Sequence, residues 1–337
     1  MIERFDMSRA DRPCGAPVNA VRSVFVLAVA AFTIGVAAAQ SYPVRPIRLI
    51  VPFAAGGPVD GMARVLAPHL SAALKQSVVI DNRPGAAGLI GIEAGVRATP
   101  DGYTITMVSS SYSASAATLK LPYDPVNDVA PIVLVNISPQ LAAVHPSVPI
   151  ASVAELVSYA RANPGKLNYG SSGTGGSVHL STEFLDMVAG IRMTHVPYKG
   201  QGPALNDLIG GQIQFLMGSP MVIYPHVKAN RLRAIAITGG KRSSAMPEIP
   251  AFVETLPGYE TYAWQAMLGP KTLPRPLIAR WNSEMNRVLQ LPEVKALMAR
   301  DGLEAGGGAP ERFFQLLKSD LVKWRKVVDY AHLKSEP

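Results

Sequence analysis

One stretch near the start of the chain constrains the fold more than any other, because it joins a buried strand to a helix through a glycine turn. Residues 47–51 are apolar apart from Arg48 and mostly β-branched, which is typical of a buried strand. Residues 52–57 form a turn that ends in two glycines, and apolar residues then recur at helical spacing from Val59 to Leu70. The pattern predicts an α/β unit. The turn is either a plain connection or the start of an anion site, since the first N–H groups of the helix and the positive end of its dipole meet there.

Residues 1–39 have the features of a cleavable export signal. Arg22 precedes an uncharged run from Val24 that ends in Ala37-Ala38-Ala39, the small-x-small pattern that signal peptidase cuts. The run is shorter than the about 20 apolar residues that a membrane-spanning helix needs. We therefore predict cleavage after Ala39 and a periplasmic protein. The segment before Arg22 is long, so Met7 is an alternative start to Met1.

The composition excludes several classes of chemistry. The one cysteine, Cys14, lies in the predicted signal peptide, so disulfides, thiol catalysis and cysteine-ligated metal are excluded from the exported protein. The six histidines include no close pair, and we expect no metal and no cofactor. The formal net charge is +8, but Lys and Arg do not cluster with aromatic residues, so we expect no nucleic-acid partner. The charge suits a receptor for acidic small molecules, or it serves solubility alone.

The order of elements predicts a first sheet with its loops on one edge. Strands at 77–80 and 103–108, with a helix at 89–99 between them, extend the first unit to a β-α-β-α-β order. That order predicts a parallel sheet with helices on both faces. Such sheets bind ligands beyond the carboxyl ends of their strands, where three loops are expected to gather: 53–60, 83–88 and 109–113.

A second domain is predicted after an apolar run at 132–144, which carries Pro139 and crosses into it. The same strand–loop–helix pattern repeats between residues 152 and 237, and from Gly239 the chain turns polar and Pro-rich, as a return crossing would. Two amphipathic helices, 277–289 and 313–328, close the protein and are expected to pack on the first domain. The predicted domains are therefore 40–142 with 240–337 for domain 1, and 143–239 for domain 2.

Loop 171–179 is the best candidate binding element of the sequence. It combines four hydroxyl residues with three glycines directly before a helix. Small residues let a ligand approach the backbone, and hydroxyls with N-terminal amides suit a carboxylate. The loop is not a Walker A loop, because no Gly-Lys-Ser/Thr follows. A flexible surface loop without a ligand is the alternative.

Three other features invite a functional interpretation. His179 with Ser172 or Ser177 would make a hydrolase, but no Gly-x-Ser-x-Gly elbow is present, so we expect His179 to orient the loop by hydrogen bonding or to be merely packed. Residues 198–200, Tyr-Lys-Gly, offer a hydroxyl, amides and a cation, although a lone loop lysine is often just exposed. Asp60 is expected to cap or brace the first helix, or to bind an amino group or water. Asp81 and Arg83 are expected to pair locally.

Seven stretches, taken together and in order, carry a family resemblance over nearly the whole exported chain. They are Pro52-Phe53-Ala54-Ala55-Gly56-Gly57 with Asp60, Asn82 to Gly88, Pro100-Asp101-Gly102-Tyr103-Thr104, Tyr169-Gly170-Ser171-Ser172-Gly173, Ser177 with His179-Leu180, His195 to Gly200, and Leu232 to Thr238. With these residues the chain resembles the Bug family, the TctC-like substrate-binding proteins of tripartite tricarboxylate transporters.

The resemblance implies a fold, a function and a site. The fold would be an α/β two-domain periplasmic-binding-protein (type II, Venus flytrap) fold with a mainly parallel sheet in each domain. The protein would be a monomeric, non-enzymatic receptor that holds a small carboxylate between its domains, partly through ordered waters, and passes it to membrane permease subunits. A sensor kinase is the alternative partner.

Pro58-Val59 departs from the family pattern and removes an N–H donor and a hydroxyl from the first loop. The candidate ligand-binding residues are Phe53, Ala54, Ala55, Gly56, Gly57, Asp60, Ser110, Ser111, Ser171, Ser172, Gly173, Thr174, Gly175, Gly176, Ser177, His179, Tyr198, Lys199 and Gly200.

Overall fold

The computed structural model describes residues 42–85, 88–300 and 302–333. The predicted signal peptide, with Cys14, lies outside the described residues. Within them, no helix combines the length and the apolar character that crossing a membrane requires.

Strands and helices alternate along most of the described chain. The strands are β1 (Ile47–Val51), β2 (Val78–Asn82), β3 (Thr104–Ser109), β4 (Val129–Ser138), β5 (Leu141–Val144), β6 (Asn168–Ser171), β7 (Thr194–Pro197), β8 (Phe215–Gly218), β9 (Arg233–Ile237), β10 (Ala263–Pro270) and β11 (Glu304–Ala305). The helices are α1 (Pro58–Leu74), α2 (Leu89–Val96), α3 (Ser111–Thr118), α4 (Val153–Ala162), α5 (Ser177–Ala189), α6 (Gln201–Ile209), α7 (Pro220–Lys228), α8 (Arg275–Leu289), α9 (Pro292–Arg300) and α10 (Pro310–Tyr330).

The strands form two sheets. The first has the order β11-β4-β10-β3-β1-β2, and the second has the order β7-β6-β8-β5-β9. We call each sheet with the helices that pack on it a lobe. The two-lobed α/β architecture confirms the predicted fold class.

Both sheets contain parallel and antiparallel strand pairs, whereas a mainly parallel sheet was expected in each domain. Strand β1 pairs in parallel with β2 and β3, as the β-α-β-α-β order predicts. Strand β10 inserts antiparallel between β3 and β4, because it returns from the second lobe in the opposite direction. In the second sheet β6 pairs in parallel with β7 and β8, whereas β5 enters from the first lobe and runs antiparallel to both β8 and β9.

The chain changes sheet at Pro139–Gln140, where β4 ends and β5 begins, and again between β9 and β10. The predicted boundaries at residues 142 and 240 lie close to these points and remain predictions. Buried hydrogen bonds tie the crossings together. The Thr238 N–H donates to the Gln140 carbonyl at 2.9 Å, and the Thr238 hydroxyl donates to the Thr261 carbonyl at 2.7 Å. The crossing segments are therefore held to each other at one place.

Helix α10 packs into both lobes, which differs from the predicted packing on the first domain alone. Its first half places Phe313 in a cluster with Trp264 of β10. Its second half places Trp324 in the core that also holds Phe184 of the second lobe. Between the two halves, the buried carboxylate of Asp320 accepts the indole N–H of Trp264 at 2.7 Å. The helix thus spans the two lobes beside the crossings.

Candidate functional site

Four helices start directly after strands. The carboxyl ends of these strands lie at the edge of each sheet that faces the other lobe, which we call the inner edge. Strands β1 and β3 lead into α1 and α3 in the first lobe, and β6 and β7 lead into α5 and α6 in the second. In none of these four helices does the side chain of the N-cap residue bond an N–H of the first turn. Helix α4, which follows the opposite end of its sheet, is capped by the Ser152 hydroxyl, which accepts the Glu155 N–H at 3.2 Å. Because a helix cannot supply acceptors for its own first N–H groups, the four starts leave backbone donors at the candidate site.

Asp60 braces the start of α1 and the loop before it, which is one of the two roles predicted for it. One carboxylate oxygen accepts the Gly56 N–H at 2.8 Å and the Arg64 Nε–H at 2.8 Å, and the other accepts the Asn82 amide at 2.9 Å. The side chain is 1% exposed. The bonds from Arg64 and Gly56 lower the pKa of Asp60 to about 2, so the carboxylate is charged and its charge is matched by Arg64.

The rest of the first loop is exposed and small. Asn82 also donates to the Phe53 carbonyl at 3.1 Å, and the Phe53 ring packs closely against Gly88. Residues 54–56 are exposed. Pro58 is the first residue of α1, and a proline has no N–H, so the free donors of this helix are the next two amides.

The start of α3 is anchored to β10. The Ser110 N–H donates to the Trp264 carbonyl at 2.9 Å, and Ser110 is buried, while Ser111 is partly exposed. Ser113 donates to the Ser110 carbonyl at 2.9 Å and receives the indole N–H of Trp324 at 3.2 Å. Of the two predicted serines, Ser111 is therefore the more accessible.

Two histidines hold the glycine-rich loop of the second lobe. The Gly175 N–H donates to Nδ1 of His179 at 2.9 Å, which confirms the predicted orienting role of His179. Nε2 of His195 lies 2.6 Å from the Ser171 hydroxyl, which accepts the Gly173 N–H at 3.1 Å. The two imidazole rings are stacked, with their centroids 3.7 Å apart.

The surroundings of the histidines keep them neutral. Burial lowers the pKa of His179 to about 3 and that of His195 to about 4. Burial also raises the pKa of the neighbouring Glu183 carboxyl, and it raises that of Asp186 to about 7. The other titratable groups around this cluster are Tyr169 on β6, Arg192 before β7, Tyr259 before β10, and Tyr330 on α10. Between about pH 4 and pH 7 the two imidazoles and the Asp186 carboxyl are therefore mostly uncharged.

This geometry gives no support to a hydrolase. His179 is 1% exposed, and its Nδ1 already accepts the Gly175 N–H. The histidine in contact with a serine hydroxyl is His195, but Ser171 is fully buried and bonded within its own loop. A nucleophile needs an accessible hydroxyl with a free base beside it. In the described part of the chain no group of three His, Cys, Asp or Glu residues is arranged to hold a metal ion.

Residues 198–200 adjoin the same loop. The Tyr198 N–H donates to the Ser171 carbonyl at 3.0 Å, while its hydroxyl donates to Asp207 at 2.7 Å. Lys199 is exposed, and Gly200 has a φ of 122° with open space where a side chain would be. The backbone and the lysine are thus available at this edge, whereas the tyrosine hydroxyl is engaged.

Gly175 brings the second-lobe loop against the first lobe. A methyl group at Gly175 would lie 2.9 Å from the Thr118 hydroxyl at the end of α3, and Gly175 has a φ of 74°. Ser172 and Thr174, which both precede Gly175, are exposed. The loop therefore touches the first lobe at a glycine and leaves these two hydroxyl residues accessible.

Several residues that shape these loops are not among the predicted site residues. His195 and Asn82 belong to the family motifs without a predicted role at the site, and Arg64 and Thr118 belong to neither. A histidine on the inward side of a strand was a signal for His195. Its stacking partner depended on the register of β6 with β7, which pairs Tyr169 with His195.

Two surface hollows lie away from these loops. One, of about 540 Å³, is lined by β9 residues and by Glu248. The other, of about 370 Å³, lies on β1 and β2 and includes Arg48 and Asp81. Asp81 pairs with Arg83 at 2.8 Å, as predicted, so this pair is a local surface contact.

Solved structures similar to this chain include a periplasmic binding protein and two proteins that hold adipate or malate. Rpa4515 of R. palustris, solved with adipate, is 34% identical and has a TM-score of 0.77, covering 86% of this chain and 98% of its own. The periplasmic binding protein BugD is 30% identical, with a TM-score of 0.75 over 88% of this chain and 100% of its own. MatC from Rhodopseudomonas palustris, solved with bound malate, is 29% identical, with a TM-score of 0.75 over 85% of this chain and 100% of its own. The fold and the loops thus define a solute-binding receptor of the periplasmic-binding-protein class, not an enzyme.

The family follows from the sequence. The model of the tripartite tricarboxylate transporter family receptor matches residues 62–333. The chain belongs to this family, and the resemblance to the Bug and TctC-like proteins is confirmed.

Proposed function

We propose that this protein is an exported receptor that captures a small carboxylate between its two lobes. The observation that carries the proposal is the set of four helix starts without side-chain caps at the inner edges of the sheets. Backbone N–H groups and the positive ends of helix dipoles stabilise a bound anion there. The ligand lies between the loop of residues 53–57 and the loop of residues 171–176.

The charges of the loops favour an anion. Asp60 is the buried acid of the first loop, and its charge is already matched by Arg64 and by two further donors. In the second lobe, Lys199 is an exposed cation beside the loop. A carboxylate therefore meets amides, hydroxyls and a lysine, and the charge of Asp60 is already compensated.

The relatives narrow the ligand class. Solved structures at 34% and 29% identity hold adipate and malate, both small dicarboxylates. Pro58 takes the first N–H from α1, so we expect the second lobe to contribute more donors to the carboxylate than the first. The ligand is a small mono- or dicarboxylate held mainly by residues 172–179, with flanking contacts from Ser111 and residues 199–200.

Membership of the family supports a proposal for the location and the partner of the protein. We propose that residues 1–39 direct export to the periplasm, that the protein acts as a monomer, and that its closed form delivers the ligand to permease subunits of a tripartite tricarboxylate-type transporter. The two lobes joined by short crossings are suited to closing around a ligand.

Thermal unfolding of the purified protein tests the ligand class. Adipate, malate and other small carboxylates are compared with their amides, which keep the shape and lose the charge. A ligand at 100 times its dissociation constant adds about 2.7 kcal/mol of stability, a clear shift of the midpoint. A shift with an acid but not with its amide supports carboxylate capture. Equal shifts with acid and amide, or a shift with neutral solutes alone, would overturn it.

A further inference from the structure

The second-lobe loop is held from one side by two stacked imidazole rings. The planes of His179 and His195 are inclined by 11°, and Tyr169 stacks on His195 with its centroid 5.0 Å away. The three rings come from different elements: β6, α5 and β7. Ring contacts between side chains of three elements form a rigid support.

Each imidazole fixes a different glycine of the loop. His179 accepts the Gly175 N–H directly. His195 acts through the Ser171 hydroxyl, which lies 2.6 Å from it and accepts the Gly173 N–H. Gly173 has a φ of 137° and Gly175 a φ of 74°, conformations that need an external hold because other backbone geometries are open to glycine. The two bonds select one loop conformation among these.

We propose that His195 is a positioning residue of the binding site, and that with His179 it forms an imidazole clamp that fixes residues 171–176 in the conformation that receives the ligand. This inference rests on the proposed function, because it assigns the clamp to the loop that captures the carboxylate. His195 makes its contribution through Ser171 and through its ring contacts with His179 and Tyr169.

The clamp works with both rings uncharged. Nδ1 of His179 must carry a lone pair to accept the Gly175 N–H, so a doubly protonated ring would break that bond. Two charged rings at a centroid distance of 3.7 Å would also repel each other. Burial of both rings keeps the neutral forms in place.

Three substitutions separate the two contributions of His195. His195→Phe keeps a ring for the stack and loses the bond to Ser171, and His195→Ala loses both. His195→Gln keeps a polar group that can bond Ser171. The control is His145→Phe, since His145 also bonds a serine, Ser147 at 2.7 Å, but follows β5 at the opposite edge of the sheet. Ser171→Ala removes the link between His195 and Gly173 without touching either ring.

The first readout is amide hydrogen exchange of the ligand-free protein. We expect His195→Phe and Ser171→Ala to speed exchange at Gly173 by about tenfold or more, with His195→Ala also affecting Gly175 and His195→Gln recovering part of the protection. His145→Phe should leave both amides unchanged. If His195→Phe and Ser171→Ala leave exchange at Gly173 as in the wild type, or if His145→Phe raises it equally, the clamp is refuted.

The second readout is the affinity for adipate, measured by calorimetry. We expect the dissociation constant to rise about tenfold in His195→Phe and to stay within a factor of about two in His145→Phe. If the wild-type protein binds no carboxylate, the proposed function fails while the exchange experiment still decides whether the clamp holds the loop. If the variants loosen the loop and bind adipate as tightly as the wild type, the loop is held by the clamp but does not position the ligand, and the inference is wrong.

Discussion

The imidazole ring of His179 lies parallel to that of His195, with the centroids 3.7 Å apart, and each ring holds one glycine of the loop that starts α5. The ring contacts join strand β6 to its neighbour β7 and to helix α5, which follows β6. The second-lobe loop is therefore held by two side chains of its own lobe.

Because both histidines stay neutral, ligand affinity should not change with pH in the range where histidine usually titrates. Burial holds the pKa of His179 near 3 and that of His195 near 4, so neither ring gains a proton between pH 5.5 and pH 8. The dissociation constant for adipate, measured by calorimetry, should change less than about twofold over that range. A loss of affinity centred near pH 6.5, the ordinary pKa of histidine, would contradict this.

The same cluster predicts how stability depends on pH. The unfolded chain protonates both histidines below about pH 6.5 and the folded chain does not, so these two groups lower stability as pH falls from 6.5 to 4. Asp186 acts in the opposite direction. Its pKa of about 7 in the folded chain is above the unfolded value of about 3.9, so its contribution is lost as pH rises through 7.

Asp186→Asn should therefore stabilise the protein at high pH. The asparagine oxygen can still accept the Met193 N–H, which Asp186 accepts at 2.7 Å, and no charge is buried above pH 7. We expect a gain of about 2–4 kcal/mol at pH 8 in urea unfolding, and little difference from the wild type at pH 4. An equal effect at both pH values would show that Asp186 does not hold a proton in the fold.

Asp60 supports the first loop from inside. Asp60→Ala removes an acceptor shared by Gly56, Arg64 and Asn82, and we expect a loss of about 2–4 kcal/mol in urea unfolding and a weaker affinity for adipate. The matched control is Asp81→Ala, since Asp81 also pairs with an arginine at 2.8 Å but near the surface, where such pairs contribute less than about 1 kcal/mol. Equal losses of unfolding free energy in the two variants would mean that the burial of Asp60 does not add to its contribution to stability.

Gly175 combines a left-handed backbone with a close neighbour. Gly175→Ala adds about 1 kcal/mol of backbone strain and presses on Thr118, so we expect both stability and adipate affinity to fall. The control is Gly165→Ala, which has a similar φ of 72° and room for a methyl group. Adding Thr118→Ala to Gly175→Ala should recover the part of the loss caused by crowding. No recovery would leave backbone strain as the whole cause.

Much of the fold was predictable from sequence, because strand–loop–helix units carry strong local signals. The apolar run of β1, the glycine turn and the amphipathic α1 predicted the first unit, and loop 171–179 was identified by its hydroxyls and glycines. The predicted run at 132–144 is two strands, β4 and β5, because Pro139 interrupts the ladder where the chain changes sheet. Helices α7 and α9 were not predicted, since their short apolar patterns are interrupted by prolines or by turns.

The side-chain contacts between elements were harder to predict. The bracing contacts of Asp60 were predictable because its partners Gly56 and Arg64 are each only four residues away along the chain. The contacts of His195 with His179, and of Thr118 with Gly175, depend on strand register and on how the lobes meet. No local pattern encodes those distances.

The most direct test of the central claim is a crystal structure of the protein with a bound small dicarboxylate such as adipate. We predict a carboxylate within about 3.2 Å of backbone N–H groups at residues 172–179, facing the loop of residues 53–57. A carboxylate found instead in the hollow of about 540 Å³ beside Arg233 and Glu248 would contradict the account, as would a ligand that contacts the loops through apolar groups alone.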